Sequence, residues 1–292
     1  MKDKMAIRLI IDSASDINKE EADNLGIIMI PLELRFGDIT YLDGVNINPQ
    51  QFYEKLIESS DLPKTTQINP FRFTEVYKEV TSRGDKAIVI TISSKLSGTY
   101  RSALIAAKEI DALEDKIYVV DSLNASIGER LLIQYALRLI SEGKAIEQIV
   151  QELNQKKKSI KLLAMLDTLK YLKKGGRISP LVAFSGELLS IKPVISIVNG
   201  EVKLIGKARG SKNGKNLLNK LLEDCGGINF NMPYGVIYSG TSDFLIKKYL
   251  LDSQEIYHDK VDVVPIYAIG CSIGSHIGPG GIGVAFFANT IK

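Results

Sequence analysis

The sequence predicts an α/β protein of two domains, the first with a mostly parallel sheet flanked by helices, the second with a mixed sheet. Three observations predict it. Apolar runs at 6–12, 87–92 and 116–121 alternate with amphipathic segments of helical period, the pattern of a parallel sheet covered by helices. Beyond residue 158 a strong hairpin signal, Asn199-Gly200 between apolar stretches 194–198 and 201–205, calls for antiparallel pairing. The length of 292 residues suits two domains, placed at 1–160 and 161–292.

In order, residues 6–12 read as a buried strand ending in Asp12-Ser13-Ala14-Ser15-Asp16. This polar loop lies at the strand end where ligands gather in open parallel sheets. Asp16 reads as the cap of a short helix over 19–25. A strand over 27–34 and a helix over 49–59 follow, the helix with Phe52, Tyr53, Leu56 and Ile57 on one face. Two prolines then bracket the loop Pro63-Lys64-Thr65-Thr66-Gln67-Ile68-Asn69-Pro70. Proline fixes the local path, so the loop reads as structural while holding Thr65, Thr66 and Gln67 rigidly as donors. A helix spans 71–83.

Strand 87–92 enters a hydroxyl-rich turn ending in Ser97-Gly98-Thr99, and a helix leaves it with Tyr100, Ala103, Leu104, Ala107 and Ile110 at helical spacing. A strand feeding a helix this way aims free N–H groups and the positive end of the helix dipole at one point, which suits an anion. The alternative is that Ser97 or Thr99 is an N-cap. Strand 116–121 ends in Asp121-Ser122-Leu123-Asn124-Ala125-Ser126, and helices follow over 127–141 and 146–157.

The second half opens with a strand over 162–166 and a basic helix end over 170–179, closed by Gly175 and Gly176. Pro180 starts a helix to about 191. After the hairpin come a helix over 214–225, a strand over 235–239, a helix over 241–252 capped by Thr241, and a strand over 261–269. A glycine-rich turn around His276 precedes the last strand.

Composition narrows the function. The chain is 45% hydrophobic and 24% charged, an ordinary globular balance, and it has no Trp, which disfavours base-stacking platforms. Cys225 and Cys271 form no metal-ligand spacing and read as reduced thiols. With no secretory segment and no apolar run approaching about 20 residues, a cytoplasmic location is expected. Between Gln155 and Lys215 twelve Lys and two Arg face only Asp167, Glu187 and Glu201, a net of +11 against +3 for the whole chain. Such a block points to an anionic partner: an acidic protein, a phosphate-bearing ligand or a membrane surface.

Of the two histidines, His258 reads as incidental, whereas His276 sits among glycines that let the backbone approach something closely. His276 and Ser97 fit a base and a nucleophile; equally, Thr65, Ser97 and His276 fit three donors to one carboxylate. Phosphate motifs fail: residues 210–216 have one residue too few between the glycines and Asn216 in place of the magnesium-binding hydroxyl. Residues 278–283 are no dinucleotide fingerprint. No metal site and no nucleic-acid module are expected.

Taken together, several stretches resemble the DegV family, bacterial fatty-acid-binding proteins that include the FakB subunits of fatty acid kinase. They are 12–16; Pro63-Lys64-Thr65-Thr66-Gln67; residues 92–100 through Ser97-Gly98-Thr99-Tyr100; Asp121-Ser122; residues 172–179 with Gly175-Gly176-Arg177; Ile191-Lys192-Pro193; and His276-Ile277-Gly278-Pro279-Gly280. Ile68-Asn69-Pro70 departs from the family, which usually has Pro-Ser after the Gln. The resemblance implies one long-chain fatty acid between two α/β domains, its carboxylate held by Thr65, Ser97 and His276, with Thr66, Gln67, Gly98, Thr99 and Gly278 as supporting head-group loops. It implies no catalytic residue and no cofactor. A separate ATP-dependent kinase subunit would phosphorylate the carboxylate, giving acyl-phosphate for phospholipid synthesis, and would dock on Arg177 and Arg209. Acyl exchange implies transient contact with a membrane surface. Burying a chain of about 16 carbons gains on the order of 10 kcal/mol before ordering costs. The apolar stretches 181–184 and 188–191 are candidates for the tail channel, core packing being their commoner role. The competing expectations are a Ser97/His276 esterase or lipid hydrolase and, on the charge block alone, a nucleic-acid-binding regulator.

Overall fold

The computed structural model describes residues 6–59, 61–112, 115–179, 190–258 and 261–289. Most of the expected helix over 180–191, including the apolar stretch 181–184, lies outside them. Along β1 (Ile7–Asp12), Leu9 and Ile11 face one side and Ile10 the other, all buried, as in a strand covered on both faces. Helix α1 (Lys19–Asn24) is capped by Asn18, which accepts from the Glu21 N–H. The expected cap, Asp16, instead accepts from Ser126 and from the Gly270 N–H.

The expected strand over 27–34 is two strands in different sheets. β2 (Ile28–Ile30) pairs parallel with β1, and Pro31, with no N–H for a ladder, ends it. β3 (Glu33–Phe36) joins an antiparallel sheet with β4 (Ile39–Leu42). Helix α2 (Pro49–Glu58) starts in a reciprocal capping box of Asn48 and Gln51. The third strand of the small sheet, β5 (Lys64–Thr66), lies inside the expected proline-bracketed loop and pairs Thr65 with Leu34. Next come α3 (Pro70–Ser82), β6 (Lys86–Thr91), α4 (Thr99–Ile110), β7 (Ile117–Asp121), α5 (Ile127–Ser141) and α6 (Ile146–Lys156). The parallel sheet has the order β2-β1-β6-β7. Its order reverses between β1 and β6, where such sheets open a crevice at the carboxyl ends of the strands.

The second half comprises β8 (Ile160–Met165), α7 (Lys170–Lys174), β9 (Ile191–Val198), β10 (Glu201–Arg209), α8 (Gly210–Asp224), β11 (Tyr234–Tyr238), α9 (Phe244–Asp252), β12 (Ile266–Ala268), α10 (Cys271–Ile277) and β13 (Ile282–Phe287). Its mixed sheet runs β10-β9-β8-β13-β11-β12, antiparallel except between β11 and β12. Asn199 and Gly200 turn the β9–β10 hairpin, with φ of 52° and 85°. Along β8, Leu162 and Ala164 face inward while Leu163 and Met165 pack outward with Leu218 and Leu222 of α8. Helix α5 is buried almost all round because both sheets pack against it.

Three local expectations fail here. Helix α9 begins at Phe244, so Thr241 does not cap it. Of the expected strand over 261–269 only β12 forms, after a 3-10 turn at Val261–Val263. The stretch around His276 is helix α10, not a turn. Its internal Gly274 serves close packing: a Cβ there would lie 2.7 Å from the Tyr53 hydroxyl and from the Phe52 ring. Among the described residues no helix is long and apolar enough to cross a membrane. Cys225 and Cys271 are free thiols.

Candidate functional site

A cavity of about 310 Å³ lies between the two large sheets, outside the carboxyl ends of β1 and β6. That volume is at the lower edge of the roughly 300–1,000 Å³ usual for small-ligand clefts. Ala14, Leu32, Ile92, Leu96 and Ala125 line it from the first half. Leu162, Ala164, Ile195, Ile197, Val202 and Ile237 line it from the mixed sheet, and Ile273 and Ile277 from α10. The wall is therefore mostly aliphatic, with a few polar groups set into it.

Most of those polar groups meet at one place. Thr65 on β5 and His276 on α10 share a 2.9 Å hydrogen bond between Oγ1 and Nε2. Ser97, in the turn before α4, has its hydroxyl 2.9 Å from that of Thr99 and accepts from the Thr99 N–H at 3.2 Å. The Ile68 N–H donates to Thr99 Oγ1, and Gln67 donates to the Ser102 hydroxyl, so the loop after Thr65 is tied to this turn. Gln67 also lies across Gly98, where an added Cβ would meet its Oε1 at 1.9 Å. Glycine at 98 is what admits the amide.

Carboxylates away from the cavity fix these elements. Asp12 accepts from the N–H groups of Ala14 (2.9 Å) and Ile92 (2.8 Å), pinning the ends of β1 and β6 together. Asp121 does the same for the Ser94 and Leu123 N–H groups. Asp43 accepts from the Cys271 and Ser272 N–H groups, both at 3.0 Å, and Asp16 accepts from Gly270 at 2.8 Å. The first turn of α10 is thus held by two acids from the first half of the chain, which sets where His276 points.

Burial, and after it the Arg177 charge, push His276 down to about 4. Above that pH the imidazole is neutral, with one donor and one acceptor nitrogen. Its Nδ1 is buried without a hydrogen-bond partner among the described residues, against Gly175, where a Cβ would come within 2.2 Å. Arg177 is exposed at the cavity wall and donates to the Leu96 carbonyl at 3.3 Å and to the Gly175 carbonyl. Its positive charge therefore sits beside both Ser97 and His276. The site offers hydroxyls, an imidazole and a guanidinium to an anion at an otherwise apolar cavity. Ser97 bonds to Thr99 and His276 to Thr65, so no serine–histidine pair is formed.

Of the residues singled out from sequence, Thr65, Thr66, Gln67, Ser97, Gly98, Arg177 and His276 line the cavity. Thr99 lies one bond behind the wall, and Gly278 ends α10 at φ 74°, where a Cβ would strike the Tyr171 ring. Arg209 is exposed at the end of β10 and does not line the cavity. Neither does Ile191, the described end of the apolar stretch 188–191. Sequence reasoning missed Ser126 and Ser272, which also line it. Ser126 closes the polar stretch 121–126 after a buried strand, a strand-end position like that of the loop 12–16, whereas nothing in the sequence marks Ser272. Among the described residues no cluster of His, Cys, Asp and Glu is placed to hold a metal ion.

The family model described as "Uncharacterised protein, DegV family" matches residues 6–289. A DegV domain-containing protein of Caldanaerobacter subterraneus is 34% identical over 283 residues, 96% of this chain and 98% of that protein. The fold is similar to a fatty-acid-binding DegV family protein from Thermus thermophilus (TM-score 0.85, 30% identity, 98% of this chain and 100% of that one). It is similar also to DegV, a fatty acid binding protein from Bacillus subtilis (TM-score 0.80, 30% identity, 97% and 99%).

Proposed function

The chain belongs to the DegV family, and on that premise we propose that it binds one long-chain fatty acid in the cavity between its sheets. The carboxylate sits at Thr65, Ser97 and His276, and the alkyl chain runs along the aliphatic wall. One observation carries this reading: the Thr65–His276 hydrogen bond closes the polar corner of a cavity whose remaining wall is chiefly aliphatic. Two DegV structures of 30% identity described as fatty acid binding support the ligand class. Apolar burial supplies affinity without shape specificity, while the hydroxyls and the neutral imidazole orient the head group.

In this reading the protein performs no chemistry alone. It presents the carboxylate to a separate ATP-dependent kinase subunit, which returns acyl-phosphate for phospholipid synthesis, and it exchanges acyl chains at a membrane surface. Arg177 and Arg209 are the docking cations, both exposed and both within the basic segment. Arg177 has a second role, because its guanidinium stands beside the head-group residues. The competing hydrolase reading needs a Ser97–His276 bond, and both side chains have other partners. Solvent extraction of the purified protein followed by lipid mass spectrometry tests the proposal. About one fatty acid per chain is expected, and a chain that neither carries nor takes up fatty acid refutes it.

A further inference from the structure

Ser272 lines the cavity one helical turn from His276, and its hydroxyl is buried. It is 3% exposed, lines the wall, and its Oγ has no hydrogen-bond partner among the described residues. The reason lies in its place on α10. Ser275, further along, donates back to the Cys271 carbonyl at 2.8 Å, but Ser272 is the second residue of the helix and has no preceding turn to receive its proton. Its own N–H, with that of Cys271, is taken by Asp43, so the hydroxyl is the polar group of Ser272 left without a partner among the described residues.

Ser126 is the second polar group there. It is 3% exposed, lines the same wall, and donates to Asp16. Asp16 also accepts from the Gly270 N–H, so one carboxylate holds Ser126 against the start of α10, two residues before Ser272. With its proton given to Asp16, Ser126 retains lone pairs to accept a hydrogen bond, while Ser272 retains a proton to donate. A plain alkyl chain leaves both capacities unused in an otherwise aliphatic region.

We propose that Ser272 and Ser126 form a second polar subsite that takes a hydroxyl substituent on the fatty-acid chain. The proposal rests on the fatty-acid reading of the cavity. The position follows from the helix. Ser272 and His276 are four residues apart, on one face and about 6 Å along the axis. An extended chain advances about 1.2 Å per bond, one third of the rise of an extended residue. The hydroxyl therefore belongs within about five carbons of the carboxyl carbon. The preferred ligand class is a fatty acid hydroxylated near its head group.

Competitive displacement of a fluorescent fatty acid from the full chain tests this, with palmitate, 3-hydroxypalmitate, 5-hydroxypalmitate and 16-hydroxypalmitate as probes. At least one of the 3- and 5-hydroxy acids is expected to bind about tenfold more tightly than palmitate, the gain of one satisfied hydrogen bond. The 16-hydroxy acid gains nothing, and in Ser272→Ala the ratio of near-head hydroxy-acid to palmitate affinity falls from about ten to about one. Equal or weaker binding of both near-head hydroxy acids by the unaltered chain overturns the subsite while leaving the fatty-acid reading intact. So does a preference that survives Ser272→Ala. Binding of none of the four acids overturns both.

Discussion

Thr65 and His276 are 211 residues apart in the chain and share a 2.9 Å hydrogen bond. Each arrives by a different route: Thr65 on the third strand of a small antiparallel sheet, His276 on a helix whose first turn is held by Asp16 and Asp43. With the fatty acid bound, one charge-assisted hydrogen bond to its carboxylate is worth about 1.5–3 kcal/mol. Thr65→Ala and Ser97→Ala are each expected to weaken palmitate binding at least about tenfold, read by displacement titration. Unchanged affinity in either removes that residue from the head-group site.

His276 is held near pH 4 by burial first and the Arg177 charge second. Removing the cation relieves the second cause, so Arg177→Gln raises the His276 pKa, seen in an imidazole NMR titration with His258→Gln to assign the signals. The same shift governs stability. As pH falls from about 6.5 towards 4, the unfolded chain takes up this proton and the folded chain does not. His276 therefore costs the fold about 1.4 kcal/mol per pH unit over that window. Asp12 and Asp16, raised by burial to about 7, act in the opposite direction, their contribution being lost as pH rises from about 4 to 7. The difference in unfolding free energy between the unaltered chain and His276→Gln isolates the histidine. It should move against the unaltered chain on acidification from 6.5 to 4.

Gly175 leaves room for the imidazole, since a Cβ there would stand 2.2 Å from Nδ1. Gly175→Ala is expected to displace His276 and cut palmitate affinity about tenfold or more, with a stability loss of about 1–3 kcal/mol from local overpacking. Calorimetry and displacement titration on one sample separate the two effects.

Asp43 is 2% exposed and accepts from the Cys271 and Ser272 N–H groups and from the Ser13 hydroxyl. Asp43→Ala leaves these donors unpaired, so a loss of about 2–4 kcal/mol is expected in urea unfolding, with weaker fatty-acid binding because α10 loses its anchor.

On the proposed presentation to a kinase, Arg209→Ala should leave fatty-acid affinity unchanged, because Arg209 lies off the cavity, and slow phosphorylation by that proposed partner. Arg177→Ala should affect both, because Arg177 lines it. Equal phosphorylation rates in Arg209→Ala and the unaltered chain remove Arg209 from the docking surface.

The parallel sheet was legible because buried strands announce themselves as apolar runs, and Asn199-Gly200 marked the hairpin because both residues tolerate positive φ. The two strand ends read as ligand or anion sites, 12–16 and the turn after 87–92, lie at the cavity, where Ala14 and Ile92 line it. Less legible were elements whose pairing is long-range. β5 is three residues held by β3, and its pattern between prolines is that of a loop. Glycine misled at α10, where Gly274 marks close helix packing and not a turn. Asp16 looked like a local cap, but its partners Ser126 and Gly270 are 110 and 254 residues away. No local pattern encodes such contacts.

The central claim is that Thr65, Ser97 and His276 recognise a carboxylate. Comparing palmitate with methyl palmitate tests it directly, because the ester keeps the chain and removes the charge. The account predicts a preference for palmitate of tenfold or more in the unaltered chain, abolished in the Thr65→Ala/Ser97→Ala/His276→Ala triple variant with ester binding retained. A preference for palmitate that survives in the folded triple variant would contradict it.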